Sequence, residues 1–307
     1  MNFQQLRSIR EAARRNFNLT EVANALHTSQ PGVSRQIREL EEEMGVEIFE
    51  RYGKRLTGLT PPGEEMIKVI DRLLREAENL RRVASEFTGA ESGRLAIATT
   101  HTQARYALPA VVAEFRRAFP QVMLALQQAS PAHIVELLRS GETDIGFASE
   151  ALAQQEDFAV FEAYRWNHVV LVPKGHALTR AAQPTLEQIA EYPIITYDEG
   201  FTGRQRIDDA FAAHGLAPEI VLTAMDSDVI KTYVGLGMGI GVIAAHAFDA
   251  AKETGFTAID GGELFGHNTA LVAVRRGSYL RGYALSFIHS LAPKVSSEEI
   301  LKKVIGA

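Results

Sequence analysis

The chain has 307 residues, 46% of them hydrophobic and 23% charged, and a formal net charge of −6. That is long enough for more than one core and too acidic for a protein that coats nucleic acid by bulk charge. Residues 1–60 hold 9 Lys/Arg against 8 Asp/Glu while residues 61–307 hold 23 against 30, so any contact with a polyanion must be local. The chain has no cysteine, which excludes disulfides, thiolate metal sites, cysteine nucleophiles and thiol-based peroxide sensing. No run approaches the roughly 20 apolar residues of a membrane helix, and the N-terminus lacks the pattern of an export signal. A cytoplasmic location without a membrane partner is expected.

The first 60 residues predict three short amphipathic helices around one small core. Phe3, Leu6, Ile9 and Ala13 recur at helical spacing, then Val22, Ala23 and Leu26, then Val33, Ile37, Leu40 and Met44. Thr20 is expected to cap the second helix and Ser29 the third, with Pro31 in the first turn where no donor is lost. On the third helix Gln30, Ser34, Arg35 and Arg38 lie off the apolar stripe, near the end that a recognition helix presents to bases. Arg can pair with guanine and Gln with adenine, and Ser or the helix N-terminus can hold phosphate. Glu39, Glu41, Glu42 and Glu43 crowd the other end, which should point away from phosphate. Arg51-Tyr52-Gly53-Lys54-Arg55 then forms a cationic turn between short extended runs, suited to a wing on the DNA backbone.

From Pro62 and Gly63, Met66, Ile70, Leu73, Ala77, Leu80, Ala84 and Phe87 make a seam of alternating three- and four-residue steps, the pattern of a helix that pairs with a second copy. Docking of that helix on its own chain is the alternative. Thr88 to Gly93 reads as a hinge. Beyond it, LAIATT, MLALQQ and DIGFAS read as strands, with helices over Ala107 to Ala118 and Ala132 to Leu138. HVVLVP, PIITYD, EIVLTA and GIGVIAA repeat the rhythm, with a helix over Thr185 to Glu191. The alternation predicts mainly parallel α/β sheets in two lobes with a cleft between them. TALVAVRRG and a helix over Leu280 to Leu291 return to complete the first lobe.

Ligands in such sheets bind beyond the carboxyl ends of strands. The first strand ends in Thr99-Thr100-His101-Thr102-Gln103, neutral donors at a helix start able to hold a small oxyanion or carboxylate. Ser149 after DIGFA and Thr202-Gly203 after ITYDEGF offer the same chemistry. For Thr100 and Thr102, capping of the helix competes with ligand binding. Trp166, the only tryptophan, reads from burial habits as a packing residue at a lobe edge. Gly235 to Gly241, GLGMGIG, lacks GxGxxG spacing and reads as tight turn packing. The histidines have no metal spacing, no GxSxG elbow occurs, and no Ser, His and Asp spacing nominates a triad, so neither a metal site nor catalysis is expected.

Over essentially its full length the chain resembles the LysR-type transcriptional regulators. The resemblance is carried by Ala23 to Leu26, Ser29-Gln30-Pro31, Ser34-Arg35-Gln36-Ile37, Leu40-Glu41, Gly45, Phe49 to Arg51, Leu59-Thr60 and Gly63. It implies a winged helix-turn-helix DNA-binding domain over 1–60 and a dimerising linker helix and hinge over 61–92. It also implies a two-lobed α/β effector domain over 93–307, like periplasmic binding proteins. Lobe I is expected at about 93–163 and 267–292, lobe II at about 164–266. The implied partners are promoter DNA, RNA polymerase and further copies of the chain, as a homodimer through the linker helix and a homotetramer. The DNA-contacting set is Ser29, Gln30, Pro31, Ser34, Arg35, Arg38, Arg51, Lys54 and Arg55.

Within that family, Thr99 to Pro109, Glu150-Ala151-Leu152, Trp166-Asn167, Phe201 to Arg204 and Asp228 to Tyr233 resemble the sulfur-assimilation regulators of the CysB and Cbl type. By that similarity Thr100, Thr102, Gln103, Ser149, Thr202, Gly203 and Trp166 bind a small effector such as sulfate, thiosulfate, O-acetylserine or N-acetylserine. Ser149 departs from the threonine of that group: it keeps the hydroxyl and loses a methyl, which bears on effector choice. Gly32 and Pro62 also depart from the commonest family residues. A LysR-type regulator of another metabolite is the second reading, and a solute-binding protein or an enzyme the third.

Overall fold

The structure is a computed structural model that describes residues 1–53, 55–87, 92–180 and 183–306, without the side chains of 85–87 and 202. The chain divides into two compact units, Met1–Thr88 and Gly89–Ala307.

In the first unit, helices α1 (Phe3–Arg14), α2 (Leu19–Ala25) and α3 (Gln30–Met44) precede a hairpin of β1 (Phe49–Tyr52) and β2 (Arg55–Leu59). Ser29 caps α3 by accepting from the Gly32 N–H at 3.3 Å, and Pro31 occupies its first turn, as expected. The cap of α2 is Asn18 and not Thr20: its Oδ1 accepts from the N–H groups of Thr20 (3.1 Å) and Glu21 (3.4 Å). Asn reaches back to first-turn donors as well as Thr does, so the helix starts earlier. Leu6, Ile9, Val22, Val33, Ile37 and Leu40 form the core with Ile48 and Phe49. Phe3 and Met44, expected in that stripe, lie in terminal turns and are exposed.

The hairpin turns tightly, with Tyr52 opposite Arg55 and Gly53 at φ +62, a conformation that favours glycine. Lys54 lies outside the described residues. Helix α4 (Pro61–Phe87) follows. Its Ile70 and Leu74 are buried in the same core, with Met66 and Ile67 packed beside them. The first half of α4 therefore docks on its own domain, the alternative to the paired seam, because Ile70 and Leu74 form one face. Val69, Leu73 and Leu80 remain exposed on another, Leu80 at 71%. Most of the expected hinge, 88–91, lies outside the described residues.

In the second unit, lobe I begins with β3 (Gly93–Thr99), a π-helical turn Gln103–Ala107, α5 (Leu108–Ala118), β4 (Val122–Gln128), α6 (Pro131–Ser140) and β5 (Ile145–Ala148). Strand β6 (Phe158–Pro173) crosses to lobe II, which holds α7 (Leu186–Ala190), β7 (Ile194–Tyr197), α8 (Thr202–Ala213), β8 (Ile220–Ala224), α9 (Ser227–Gly235), β9 (Ile240–Ala244), β10 (Phe256–Asp260) and α10 (Gly262–Phe265). Strand β11 (His267–Arg275) returns to lobe I and leads to α11 (Gly282–Leu291) and α12 (Ser297–Ile305).

Strands β4-β3-β5 are parallel and so are β8-β7-β9, but β6, β10 and β11 run antiparallel to their neighbours, so each lobe is a mixed sheet. HVVLVP is only the second half of β6. Its first half pairs with β11 as far as Asn167↔His267, and from His168↔Ala244 onward its partner is β9. The π-helical turn lengthens the helical run toward the strand end, so it starts before the expected Ala107. Strand β10 and helices α8, α9, α10 and α12 were given no span in the sequence. The glycine-rich GLGMGIG is the end of α9 and the start of β9, where a Cβ on Gly239 would fall 2.3 Å from the Pro193 carbonyl oxygen, the tight packing expected of it.

Candidate functional sites

On the first unit, Gln30, Pro31, Arg35 and Arg38 are exposed along the N-terminal half of α3, with Ser34 half-buried between them. The Arg35 side chain is 81% exposed, and its Nε is held by Glu39 at 2.7 Å. Arg38 is steadied by Ser34 Oγ at 3.1 Å. A polar groove runs between the start of α2, the start of α3 and the hairpin, lined by Asn16, Asn18, Thr20, Gln30 and Arg55.

Glu41 is not part of the acidic, solvent-facing end. It is buried, its Oε1 accepts from the N–H groups of Ile48 (2.9 Å) and Phe49 (3.2 Å), and its Oε2 pairs with Arg51 at 2.6 Å. Arg51 is thereby engaged in fixing the wing to α3. The chain reversal after Gly45, which takes φ +69, brings those N–H groups over the helix.

In the second unit the strand ends converge as the sequence suggests. One cleft, about 380 Å³ of empty space including its open mouth, is lined from lobe I by Thr100, Thr102, Gln103, Ser149 and Trp166. From lobe II it is lined by Tyr197, Phe201, Gly203, Ala244 and His246. Thr202 is the first residue of α8; its side chain lies outside the description. Tyr197 and His246 were missed in the sequence. They stand at the ends of β7 and β9, and the rule that located Ser149 finds both when applied to those strands.

Three helical starts at the cleft have no side-chain cap, although α6, whose Pro131 also lines the cleft, is capped by Ser130. Thr102 makes no cap bond to the π-helical turn, Ser149 makes none to the following 3₁₀ turn, and α8 starts after Phe201, which has no polar side chain. First-turn N–H groups without a cap need another acceptor. The Thr102 hydroxyl instead reaches the Tyr197 hydroxyl across the cleft. Tyr197 is buried, lies 2.7 Å from Ser227 Oγ and accepts from the Ala244 N–H at 2.9 Å, and burial raises its pKa. Gln103 Oε1 accepts from the Tyr164 hydroxyl, leaving its Nε2 as the donor. Burial outweighs that bond and pushes the Tyr164 pKa up to about 12.

Trp166 Nε1 and both ring nitrogens of His246 are buried without a hydrogen-bond partner among the described residues. Burial pushes His246 down to about 4, so the imidazole is neutral and offers one donor and one acceptor. A Cβ on Gly203 would lie 2.9 Å from His168 Nε2 and 3.4 Å from Trp166, so glycine lets the α8 N-terminus approach the lobe junction. The cleft is thus rich in neutral donors with apolar walls, a setting for a small oxygen-bearing anion.

His101, Asp226 and Asp228 place one potential ligand atom each within 4.8 Å of one another. Asp226 already caps α9 and Asp228 is neutralised by Arg105 and Lys231, so the cluster is not assigned to a metal. No helix among the described residues is long and apolar enough to cross a membrane.

Residues 3–64 match the bacterial regulatory helix-turn-helix proteins of the lysR family, and residues 88–295 match the LysR substrate binding domain. The chain belongs to the LysR family and is a transcriptional regulator of that type. Within the family it groups with SsuR, Cbl and CysB. It is 56% identical over 300 residues to the HTH-type transcriptional regulator SsuR of Burkholderia cenocepacia, covering 98% of this chain and 97% of that one. It is 52% identical over 305 residues to the regulator Cbl of Escherichia coli K12, covering 99% and 96%. The cofactor-binding domain of the Cbl transcriptional regulator, a solved structure, matches with a TM-score of 0.68 at 48% identity, over 70% of this chain and 95% of that one.

Proposed function

We propose that the protein is a cytoplasmic regulator of sulfur-assimilation genes that reads promoter DNA with α3 and its wing and responds to a small sulfur-related effector in the cleft. The observation that carries the reading is the convergence of Thr100, Thr102, Gln103 and Ser149 with the uncapped start of α8 on one pocket. Uncapped N–H groups and hydroxyls bind sulfate or thiosulfate oxygens and an acetylserine carboxylate alike. Trp166 and Gly203 close the wall behind the effector, and Thr202 adds a donor at the helix start. On DNA, Gln30, Arg35 and Arg38 face the major groove. Ser29, Pro31 and Ser34 set the approach of the helix to phosphate, and Lys54 and Arg55 follow the backbone with Arg51 steadying the wing. The outward face of α4, with Leu73 and Leu80, is the dimer seam, and dimers pair into a tetramer that contacts RNA polymerase. The effector acts by preferring one arrangement of the lobes, since equal affinity for both would shift nothing.

Calorimetric titration of the full chain with sulfate, thiosulfate, O-acetylserine and N-acetylserine tests the effector. Saturable binding is expected for at least one, weakened about tenfold in Thr102→Ala by loss of a charge-assisted hydrogen bond. Absence of binding to all four withdraws the sulfur assignment. On operator DNA, Arg35→Ala is expected to cost about 1–3 kcal/mol and to relax base preference. Unchanged operator affinity removes Arg35 from the base-reading set.

A further inference from the structure

Beside the cleft, but outside its lining, a charged cluster ties lobe I to lobe II. Tyr106, in the π-helical turn, donates to Asp228 Oδ1 at 2.6 Å, and Arg105 reaches Asp228 Oδ2 at 3.3 Å. One turn further along α9, Lys231 is only 6% exposed. It donates to the Tyr106 hydroxyl at 2.8 Å, to the Ala247 carbonyl at 2.9 Å and to Glu253 at 2.6 Å, and stands 3.0 Å from Asp228. Its ammonium also lies 5.0 Å from the centroid of the Tyr106 ring. Burial alone lowers the pKa of Lys231, but the bonds to Glu253, Tyr106 and Asp228 outweigh it and leave the pKa raised.

The partners divide unequally between the lobes. If the lobes part, Lys231 keeps Asp228, Glu253 and Ala247 within lobe II, while Tyr106 loses both its acceptor and its donor at once. Tyr106 is therefore the arm that reaches across. It shares its short helical turn with Gln103, and Asp228 directly follows Ser227, which holds Tyr197. Movement at the cluster is thus movement of the cleft walls.

We infer that Arg105, Tyr106, Asp228 and Lys231 form an inter-lobe clamp of positioning residues that sets effector affinity by holding the cleft closed. The affinity part rests on the cleft being the effector site; the effect on lobe separation does not. An effector that binds the closed form loses apparent affinity in proportion to the closed fraction.

The chain has no cysteine, so Ala113→Cys and Ala213→Cys, on exposed faces of α5 and α8, accept a pair of spin labels selectively. Pulsed electron–electron resonance on the full chain is expected to give one distance in the parent and an added longer population in both Tyr106→Phe and Lys231→Met. Sulfate and O-acetylserine affinities, where they bind, are expected to fall about tenfold. The double variant should fall no further than the worse single one. Identical distance distributions in parent and folded Tyr106→Phe overturn the clamp, and so do fully additive effects of the two substitutions. A longer distance with no binding of either probe in the parent upholds the clamp and removes the effector reading instead.

Discussion

Glu41→Ala is expected to destabilise the N-terminal domain by about 3–5 kcal/mol and to abolish specific DNA binding. The carboxylate is buried, and its removal leaves the Ile48 and Phe49 N–H groups without an acceptor and Arg51 without a counter-charge. Each orphaned buried donor costs about 1–3 kcal/mol, and Arg51 loses the carboxylate that holds it to α3. The wing would lose its fixed position against α3 before the recognition helix itself changed. Thermal unfolding of the full chain should show the first transition moving well down in temperature. Glu42→Ala, on the solvent side of the same run, should leave it in place. Equal shifts in the two variants would make Glu41 an ordinary surface acid.

Acidification from pH 7 to 5 is expected to destabilise the effector domain through a buried neutral histidine. His168 is fully buried, neither ring nitrogen has a partner among the described residues, and burial, helped by Arg206 and His246, pushes its pKa down to about 3. The unfolded chain takes up a proton near 6.5 while the folded one does not. Stability from this group is therefore complete above about pH 6.5 and is lost as pH falls toward 3. The slope, about 1.4 kcal/mol per pH unit, gives about 2 kcal/mol by pH 5. His246, lowered to about 4, acts in the same direction and over the same window, since pH 5 still lies above both folded values. Most carboxylates titrate below this window, so denaturant unfolding at pH 7, 6 and 5 isolates the histidines. His168→Leu should flatten the dependence. A parent protein equally stable at pH 7 and 5 would disprove a proton-excluding site.

The order of the elements was legible because apolar spacing survives without tertiary context. Ser29 with Pro31 marked the start of α3, and the strand ends at Thr99, Ala148 and Tyr197 closed short apolar runs of strand length. What failed was local choice between equivalent chemistries. Asn18 and Thr20 can both cap a helix, and nothing in the order of residues prefers the first. Glu41 stands among three other acids within Glu39 to Glu43, and only the reversal after Gly45 shows which of them meets buried N–H groups. The first half of β6 escaped notice because Glu162 and Arg165 break its apolar run. The cleft was half legible: hydroxyls at strand ends are visible in sequence, whereas Tyr197 and His246 acquire their roles from neighbours far along the chain.

Because Asn167 stands opposite His267 in the β6–β11 ladder, the two points at which the chain leaves and re-enters lobe I are neighbours. Lobe II, from His168 to Gly266, is therefore an insert into a strand pair that could close as a hairpin without it. Such an insert can be exchanged as a unit while lobe I keeps its sheet, its helices and its connection to the preceding segment. Half of the cleft could thus be replaced independently of the half that carries Thr100, Thr102 and Gln103.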